Sequence, residues 1–109
     1  MHKLLVLYPL PAAPEAFRTY YLTQHLPLVA QLPGLRASWH SFQVQGVGLA
    51  SPYFCIWQGE FTSLETLQAA MASPQGQAVA ADVPHFASGG AVVLHMPAEP
   101  PLATEARHG

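Results

Sequence analysis

The hydrophobic and polar positions of this chain follow two periods, one typical of strands and one typical of helices. Four short runs rich in apolar residues, bounded by proline or glycine, predict strands. These runs are residues 3–8, 35–45, 52–61 and 91–96. Two intervening stretches repeat apolar residues every three or four positions and predict helices. The predicted element order is therefore βαββαβ.

The first helix is predicted from about residue 14 to residue 24. Pro14 suits its first turn, because the missing N–H would have no partner there. The apolar residues at helical spacing are Phe17, Tyr21, Leu28 and Leu32. Pro27 is expected to kink the helix, since it removes a backbone hydrogen bond. Pro33-Gly34 is a typical helix end.

The second helical stretch carries two N-terminal signals. Residues 62–65 have a capping-box pattern, with a threonine followed three positions later by a glutamate. The stripe that follows is Leu64, Leu67 and Met71. Ser73-Pro74 predicts a second N-cap and a short helix to about Asp82, which Pro84 ends.

The βαββαβ order predicts a ferredoxin-like α+β fold, with a four-stranded antiparallel sheet and both helices on one face. A sheet with one face in water should alternate apolar and polar residues. Here both faces are apolar: Leu5 and Leu7 point one way and Leu4 and Val6 the other. We therefore expect a homodimer packed sheet to sheet in a barrel-like shell, with a ligand cavity between helix and sheet.

Composition narrows the classes of function. Only 9% of the 109 residues are charged, against about 25% in an ordinary domain. The net charge is −2 and four cationic residues are scattered, which argues against nucleic acid and against anionic membranes. No apolar run approaches the roughly 20 residues of a membrane span, so we expect a cytoplasmic protein. Cys55 stands alone between apolar neighbours, which favours an inert buried thiol.

One domain is expected over residues 1–97, followed by an extended or disordered tail at 98–109 that has no apolar period.

His25 is the first candidate for chemistry. It lies one turn after Tyr21, so both share a helix face, and just before Pro27. A histidine there can donate to the carbonyl freed by the proline or to a tyrosine, and offer its other nitrogen to a ligand as acid or base. The alternative is a structural histidine at a helix end. His40 and His95 are isolated between apolar residues and are expected to be structural.

The sequence contains no motif of a metal, nucleotide or nucleophile site. No pair of histidines has the helix-face spacing of a metal site, and no nucleotide or nucleophile motif occurs. His85, in the loop before the last strand, is a weaker candidate at a cavity mouth. The aromatic residues that we expect to line a cavity for an apolar or aromatic ligand are Tyr20, Trp39, Phe42, Trp57 and Phe86.

Two stretches resemble the EthD family. The first runs from Phe17 through Tyr20-Tyr21 and His25-Leu26-Pro27-Leu28 to Gly34, and the second from Ser63 through Ser73-Pro74-Gln75-Gly76 to Gly90. With the strands between them they cover about residues 2–97. The resemblance implies a dimeric α+β barrel and places the family's histidine at His25, beside Tyr20 and Tyr21.

The leading hypothesis is a protein that needs no cofactor and binds or transforms a small apolar or aromatic catabolic intermediate. His25 would serve as acid/base with Tyr21 or Tyr20 as its aid. If the protein is an enzyme, isomerase- or lyase-type proton transfer is favoured, because one histidine and one tyrosine suffice for it. The alternatives are a non-catalytic accessory of an oxygenase system and a haem-binding or monooxygenase-type barrel with His25 or His40 as axial ligand.

Overall fold

The computed structural model describes residues 1–100 of the chain. The strands are β1 (His2–Pro9), β2 (Ala37–Phe42), β3 (Tyr53–Phe61) and β4 (Val92–Pro97). The helices are α1 (Pro14–Tyr20), a π-helical turn (Tyr21–His25), α2 (Leu26–Val29), α3 (Leu64–Ala72), α4 (Pro74–Asp82) and a 3₁₀ turn (Val83–His85). The predicted order and all four strands are confirmed. The predicted tail lies, from residue 101 onward, outside the described residues.

The four strands form one antiparallel sheet in the order β2-β3-β1-β4. The pairing places His2, Leu4, Val6 and Tyr8 of β1 on the side of the helices. Alternate residues point to the other side, which we call the open face. Its apolar members include Leu5, Leu7, Trp39, Ile56, Val92, Leu94 and Met96. Trp39, Val92 and Leu94 are 52, 38 and 46% exposed.

The core between helices and sheet has two parts of different composition. The aliphatic part surrounds Trp57 and Phe61, and its other buried members are Leu4, Val29, Leu32, Leu67 and Ala70. The aromatic part contains Tyr8, Phe17, Tyr21 and Phe86, together with Cys55. Each part takes residues from β1 and β3 and covers them with helices, so the core fixes the helical layer on one side of the sheet.

The first helical region differs from the prediction at Pro27. The helix continues beyond residue 24 to Val29, short of the predicted end at Pro33-Gly34, and its turn before Pro27 has the wider π spacing. The N–H of Leu26 donates to the carbonyl of Tyr21, five residues back. Because Pro27 has no N–H to donate, the turn before it is relaxed into the wider π spacing.

Two further predictions are corrected at element ends. β2 spans six residues and not the expected eleven, because Gln43 has a φ of 56° that ends the extended conformation. The N-cap of α3 is Ser63 and not Thr62: the Ser63 hydroxyl accepts from the N–H of Thr66 at 3.1 Å. Glu65 therefore sits in the first turn, where its charge suits the helix N-terminus, and does not form the predicted capping box.

The second N-cap is confirmed. The Ser73 hydroxyl accepts from the N–H of Gly76 at 3.1 Å, with Pro74 in the first turn of α4. Gly76 lies so close to the end of α3 that a Cβ atom would sit 2.1 Å from the Ala70 carbonyl oxygen. This close approach holds α4 against α3.

In residues 1–100 no helix has both the length and the apolar character to span a bilayer.

Gly59 determines where the Trp57 indole lies. A Cβ atom at Gly59 would be 2.2 Å from the ring, so the indole occupies the space that any other side chain would need. Both residues point to the helix side of β3, two positions apart. The glycine therefore lets the Trp57 ring lie flat along the strand and within the core.

We expect Gly59→Ala to lower the free energy of unfolding by about 1–3 kcal/mol, because the added methyl group must displace the buried indole. Urea unfolding followed by circular dichroism measures the change. Ser38→Ala, at the cross-strand partner of Gly59 on β2, is the matched control. An unfolding free energy equal to that of the control would contradict this packing.

Candidate functional site

A cavity of about 370 Å³ lies between the sheet and the helices. This volume is within the range of small-molecule sites. Its floor is formed by strands β1, β3 and β4, and its roof by the π-helical turn, α2 and α4. The lining residues are Leu4, Val6, Tyr8, Tyr21, His25, Val29, Leu32, Trp57, Met71, Gly76, Val79, Ala80, Val83, Ala91 and Val93. Most of this wall is aliphatic or aromatic, so the few polar atoms on it decide what it can recognise.

His25 is the polar centre of the cavity wall. It is 2% exposed, and its Nδ1 lies 2.9 Å from Oδ2 of Asp82. A carboxylate can only accept, so Nδ1 carries the proton, and Nε2 is left with its lone pair. The expectation that His25 donates to a freed carbonyl or to a tyrosine is wrong. Asp82 at the end of α4 receives the bond instead, because α4 packs against the helix that carries His25.

Asp82 is the functional residue that the sequence reasoning missed. Its Oδ1 accepts from the Tyr20 hydroxyl at 2.7 Å and lies 3.1 Å from Nδ1 of His85. His85 is exposed, so the side chains of His25, Asp82 and His85 form a connected path to the molecular surface. The sequence signal available was an acidic residue in the second EthD-like stretch, directly before a helix end. Nothing in its spacing pointed to His25, which lies 57 positions away.

The charges of this pair follow from burial and hydrogen bonding. Burial lowers the pKa of His25 below its ordinary 6.5, and the Asp82 carboxylate only partly opposes this effect. For Asp82, burial works to raise the pKa, but the hydrogen bonds from Tyr20, His25 and His85 outweigh it and the pKa is lowered. At neutral pH the site therefore holds a neutral imidazole against an ionised carboxylate.

The π-helical turn places Tyr21 directly beside His25. Their rings stack with centroids 5.6 Å apart and planes 25° apart. Burial raises the pKa of Tyr21 well above its usual range, so the phenol stays protonated and can act only as a hydrogen-bond donor or acceptor, not as a base. Burial raises the pKa of Tyr8, across the cavity floor, in the same way.

Two buried polar atoms of lining residues have no hydrogen-bond partner within residues 1–100. They are the hydroxyl oxygen of Tyr21 and Nε1 of Trp57. The thiol of Cys55 is a neighbour of the Tyr21 hydroxyl but is a weak acceptor. An unpaired buried donor costs about 1–3 kcal/mol, and such atoms in folded proteins call for a physical reason.

The structure places three of the predicted site residues on the cavity wall: Tyr21, His25 and Trp57. Phe86 packs on His25, with ring centroids 4.5 Å apart, and forms a layer behind it. Phe42 contacts Tyr21 edge-on at 5.7 Å without lining the cavity.

The other two predicted ligand contacts lie elsewhere. Tyr20 faces away from the cavity and holds Asp82. Trp39 is on the open face, on the opposite side of the sheet, and so does not belong to the cavity. Alternation along β2 showed that Trp39 and His40 point in opposite directions, but not which of them faces the helices.

The remaining histidines do not join the site. His40 is exposed on the edge strand, and His95 forms a 2.9 Å hydrogen bond with the buried His2. Among the described residues no three side chains of histidine, cysteine, aspartate or glutamate converge as metal ligands would. Cys55 is fully buried, and burial raises the pKa of its thiol to about 11, in agreement with the prediction of an inert thiol.

The fold and the site define a ferredoxin-like α+β domain with an internal cavity and a buried Asp–His pair in its wall. A sequence model of the EthD domain matches residues 10–90. The chain therefore belongs to the EthD family. A protein of Rhodococcus erythropolis, described as an uncharacterized 11.0 kDa protein in the thcB-thcC intergenic region, is 36% identical over 94 residues, which are 86% of this chain and 91% of that protein.

Solved structures agree with this assignment. An ethyl tert-butyl ether degradation (EthD) family protein from Bacillus halodurans superposes with a TM-score of 0.84 at 28% identity, over 91% of this chain and 99% of that one. SnoaB of Streptomyces nogalater, a cofactor-independent oxygenase, shares the fold with a TM-score of 0.67 at 13% identity, over 94% of this chain and 97% of that one. A dimeric ferredoxin-like protein from Thermobifida fusca gives a TM-score of 0.64 at 15% identity, over 87 and 88% of the two chains.

The lowered pKa of His25 makes folding sensitive to acid. In the folded protein the imidazole binds its proton only below the ordinary pKa of 6.5, whereas the unfolded chain binds it near that value. The unfolded state therefore holds more protons just below pH 6.5, and the free energy of unfolding falls as the pH drops through this window. The lowered pKa of Asp82 acts in the same direction, but only near and below its ordinary 3.8.

We expect the decline between pH 6.5 and pH 5 to be shallower in His25→Asn, whose amide nitrogen can still donate to Asp82 but does not titrate. Urea unfolding at a series of pH values measures the slope, and His40→Asn is the control at an exposed histidine. An unchanged slope in His25→Asn would show that the buried imidazole is not the group responsible.

Proposed function

We propose that the protein binds a small apolar or aromatic molecule in its internal cavity and that His25 acts on this molecule through Nε2 as a proton acceptor. The observation that carries the proposal is the 2.9 Å contact between Nδ1 of His25 and Asp82. It fixes one tautomer of a neutral histidine on the wall of an apolar cavity. Tyr21, stacked on His25, is its nearest aid as a hydrogen-bond donor.

The binding part of the proposal is supported by the cavity wall. Three of the lining residues from β1 and β4 are aliphatic, and α4 contributes small or aliphatic residues opposite them. Such a wall gains free energy by excluding water from an apolar ligand, at about 25 cal/mol for each Å² buried. Membership of the EthD family, whose name refers to the degradation of ethyl tert-butyl ether, suits a role with a small molecule of low polarity.

The proton-transfer part is supported by the electrostatics of the pair. A neutral imidazole is a competent base, and the carboxylate behind it stabilises the imidazolium that forms when Nε2 takes a proton. Asp82 also contacts the exposed His85, which connects the pair to the molecular surface. These side chains suffice for the transfer of a proton between atoms of a ligand, and no cofactor takes part in it.

A colorimetric base-catalysed reaction tests this function without knowledge of the natural ligand. Nitrobenzisoxazole loses its ring C–H proton to a base while its N–O bond breaks, which gives a coloured cyano-nitrophenolate. We expect the protein to accelerate this elimination and His25→Asn to lower kcat/KM by about 10²-fold, because the general base is removed. The rate should fall as the pH drops below 6.5 and His25 becomes protonated.

Two substitutions on α4 locate the reaction. Val79→Phe fills the cavity and should abolish the acceleration, whereas Ala78→Phe, one position earlier and outside the cavity wall, should not. Equal rates for the wild type and His25→Asn would contradict the role as base. Tight binding of nitrobenzisoxazole with no acceleration would also contradict it, and would leave the cavity with a holding function only.

We further propose that the open face is covered by a second copy of the chain. Its apolar side chains include Leu5, Leu7 and Ile56, and Trp39 and Leu94 are about half exposed in the single chain. An apolar sheet face of this extent is unusual on a monomer. The related folds from Thermobifida fusca and Bacteroides fragilis are described as dimeric proteins, which supports a two-fold assembly here.

We expect a solution mass twice that of one chain at micromolar concentration, measured by sedimentation equilibrium. Leu94→Glu should shift the mass to that of a single chain, because the carboxylate would be buried against the partner's sheet. Val47→Glu, at an exposed loop residue, is the control and should stay dimeric. A wild-type mass of one chain would contradict the proposed assembly.

A further inference from the structure

The unpaired polar atoms of the cavity define the kind of molecule that would fit. We propose that the cavity selects a neutral hydroxylated aromatic compound, whose O–H group donates to Nε2 of His25 and whose oxygen accepts from Tyr21 or Trp57. This inference rests on the proposed function and deepens it from an apolar ligand in general to the phenol class.

Both donors belong to residues that line the cavity. The Tyr21 hydroxyl is close to Cys55 and Tyr8, which are paired across β3 and β1. Trp57 belongs to the next pair on the same face, two residues along β3. Successive residues on one face of a strand are about 7 Å apart, so Cys55 and Trp57 are separated by about the length of a two-ring ligand. Both donor atoms are buried and have no nitrogen or oxygen partner among residues 1–100, and the Tyr21 hydroxyl has only the Cys55 sulfur beside it.

The acceptor comes from the roof of the cavity. His25 follows Tyr21 by one wide helical turn, and its Nδ1 is committed to Asp82. Nε2 is therefore an acceptor, and a ligand that offers only lone pairs would leave it unmatched. A hydroxyl group has one donor hydrogen and two lone pairs, which match one acceptor and two donors.

The charge of the site excludes an anionic ligand. The residues described as lining the cavity include no lysine or arginine. Arg18, the cation nearest to the aromatic core, lies over the Phe42 ring at 4.6 Å and outside the lining set. The ionised Asp82 directly behind His25 would repel a carboxylate or phosphate. The remaining wall is aliphatic and aromatic, so the bulk of the ligand is an uncharged ring system.

Two pairs of naphthalene probes of similar shape separate the hydrogen bonds from apolar binding. Naphthol can donate and accept a hydrogen bond, whereas methylnaphthalene can do neither. Methoxynaphthalene can accept a hydrogen bond but not donate one, and ethylnaphthalene can do neither. All substituents are at the same ring position. Titration calorimetry gives the dissociation constants. We expect naphthol to bind about two- to tenfold more tightly than methylnaphthalene for each hydrogen bond that forms, and methoxynaphthalene to exceed ethylnaphthalene by one such factor.

Three substitutions assign the bonds to their atoms. Tyr21→Phe keeps its ring, and Trp57→Phe replaces the indole with a smaller ring that has no N–H. The doubly substituted protein should lose the preference for methoxynaphthalene over ethylnaphthalene. His25→Asn should reduce the preference for naphthol over methylnaphthalene and leave the ether pair unchanged. Tyr53→Phe, at a tyrosine of β3 that does not line the cavity, should change neither preference.

The outcomes distinguish this inference from the proposed function. Equal affinities within both pairs, with binding of all four probes blocked by Val79→Phe, would overturn the phenol class and leave an unselective apolar site. A naphthol preference that survives in His25→Asn and in the doubly substituted Tyr21→Phe, Trp57→Phe protein would also overturn it. The proposed function itself would be contradicted if none of the probes shows binding that Val79→Phe blocks.

Discussion

The hydrogen bond between His25 and Asp82 is the interaction on which the site depends. It joins the π-helical turn to the end of α4, two parts of the chain that are 57 positions apart. It is buried, so it is made at the cost of removing a carboxylate from water, and the Tyr20 and His85 contacts on Oδ1 offset that cost. Removal of Tyr20 or His85 would leave the buried carboxylate less well satisfied, and removal of Asp82 would take away the bond that fixes the tautomer of His25.

The two faces of the sheet have different roles. The helix side holds the cavity, with the strands as its floor and His25 in its roof. The open face carries apolar residues that play no part in the cavity and are available for a second copy. Val6 and Leu5, neighbours in β1, illustrate the division, because one lines the cavity and the other points away from it.

The periodicity of the sequence predicts the elements well, because each depends on residues close together in the chain. The four strands and the cap at Ser73 follow from local signals, and Gly34 has the positive φ of the turn that precedes β2. The wide turn before Pro27 is not predictable in the same way. A proline indicates that the helix is disturbed, but packing of Tyr21 and His25 in the core decides whether it kinks or widens.

The candidate site is predicted only in part for a related reason. His25 and Tyr21 share a helix face and can be paired from spacing alone, and the resemblance to the EthD family adds weight to them. Asp82 is missed because its contact with His25 depends on how α4 packs. Trp39 is wrongly assigned to the cavity because both sides of the sheet are apolar, so alternation along β2 does not identify its inner face.

The proposed base is a neutral His25 with its proton on Nδ1, and nitrogen NMR of the selectively labelled histidine measures this state directly. At neutral pH we expect a pyrrole-type resonance for Nδ1 and a pyridine-type resonance for Nε2, with the pyridine-type signal lost only below pH 6.5. A proton on Nε2, or an imidazolium at neutral pH, would contradict the claim that the cavity presents a base.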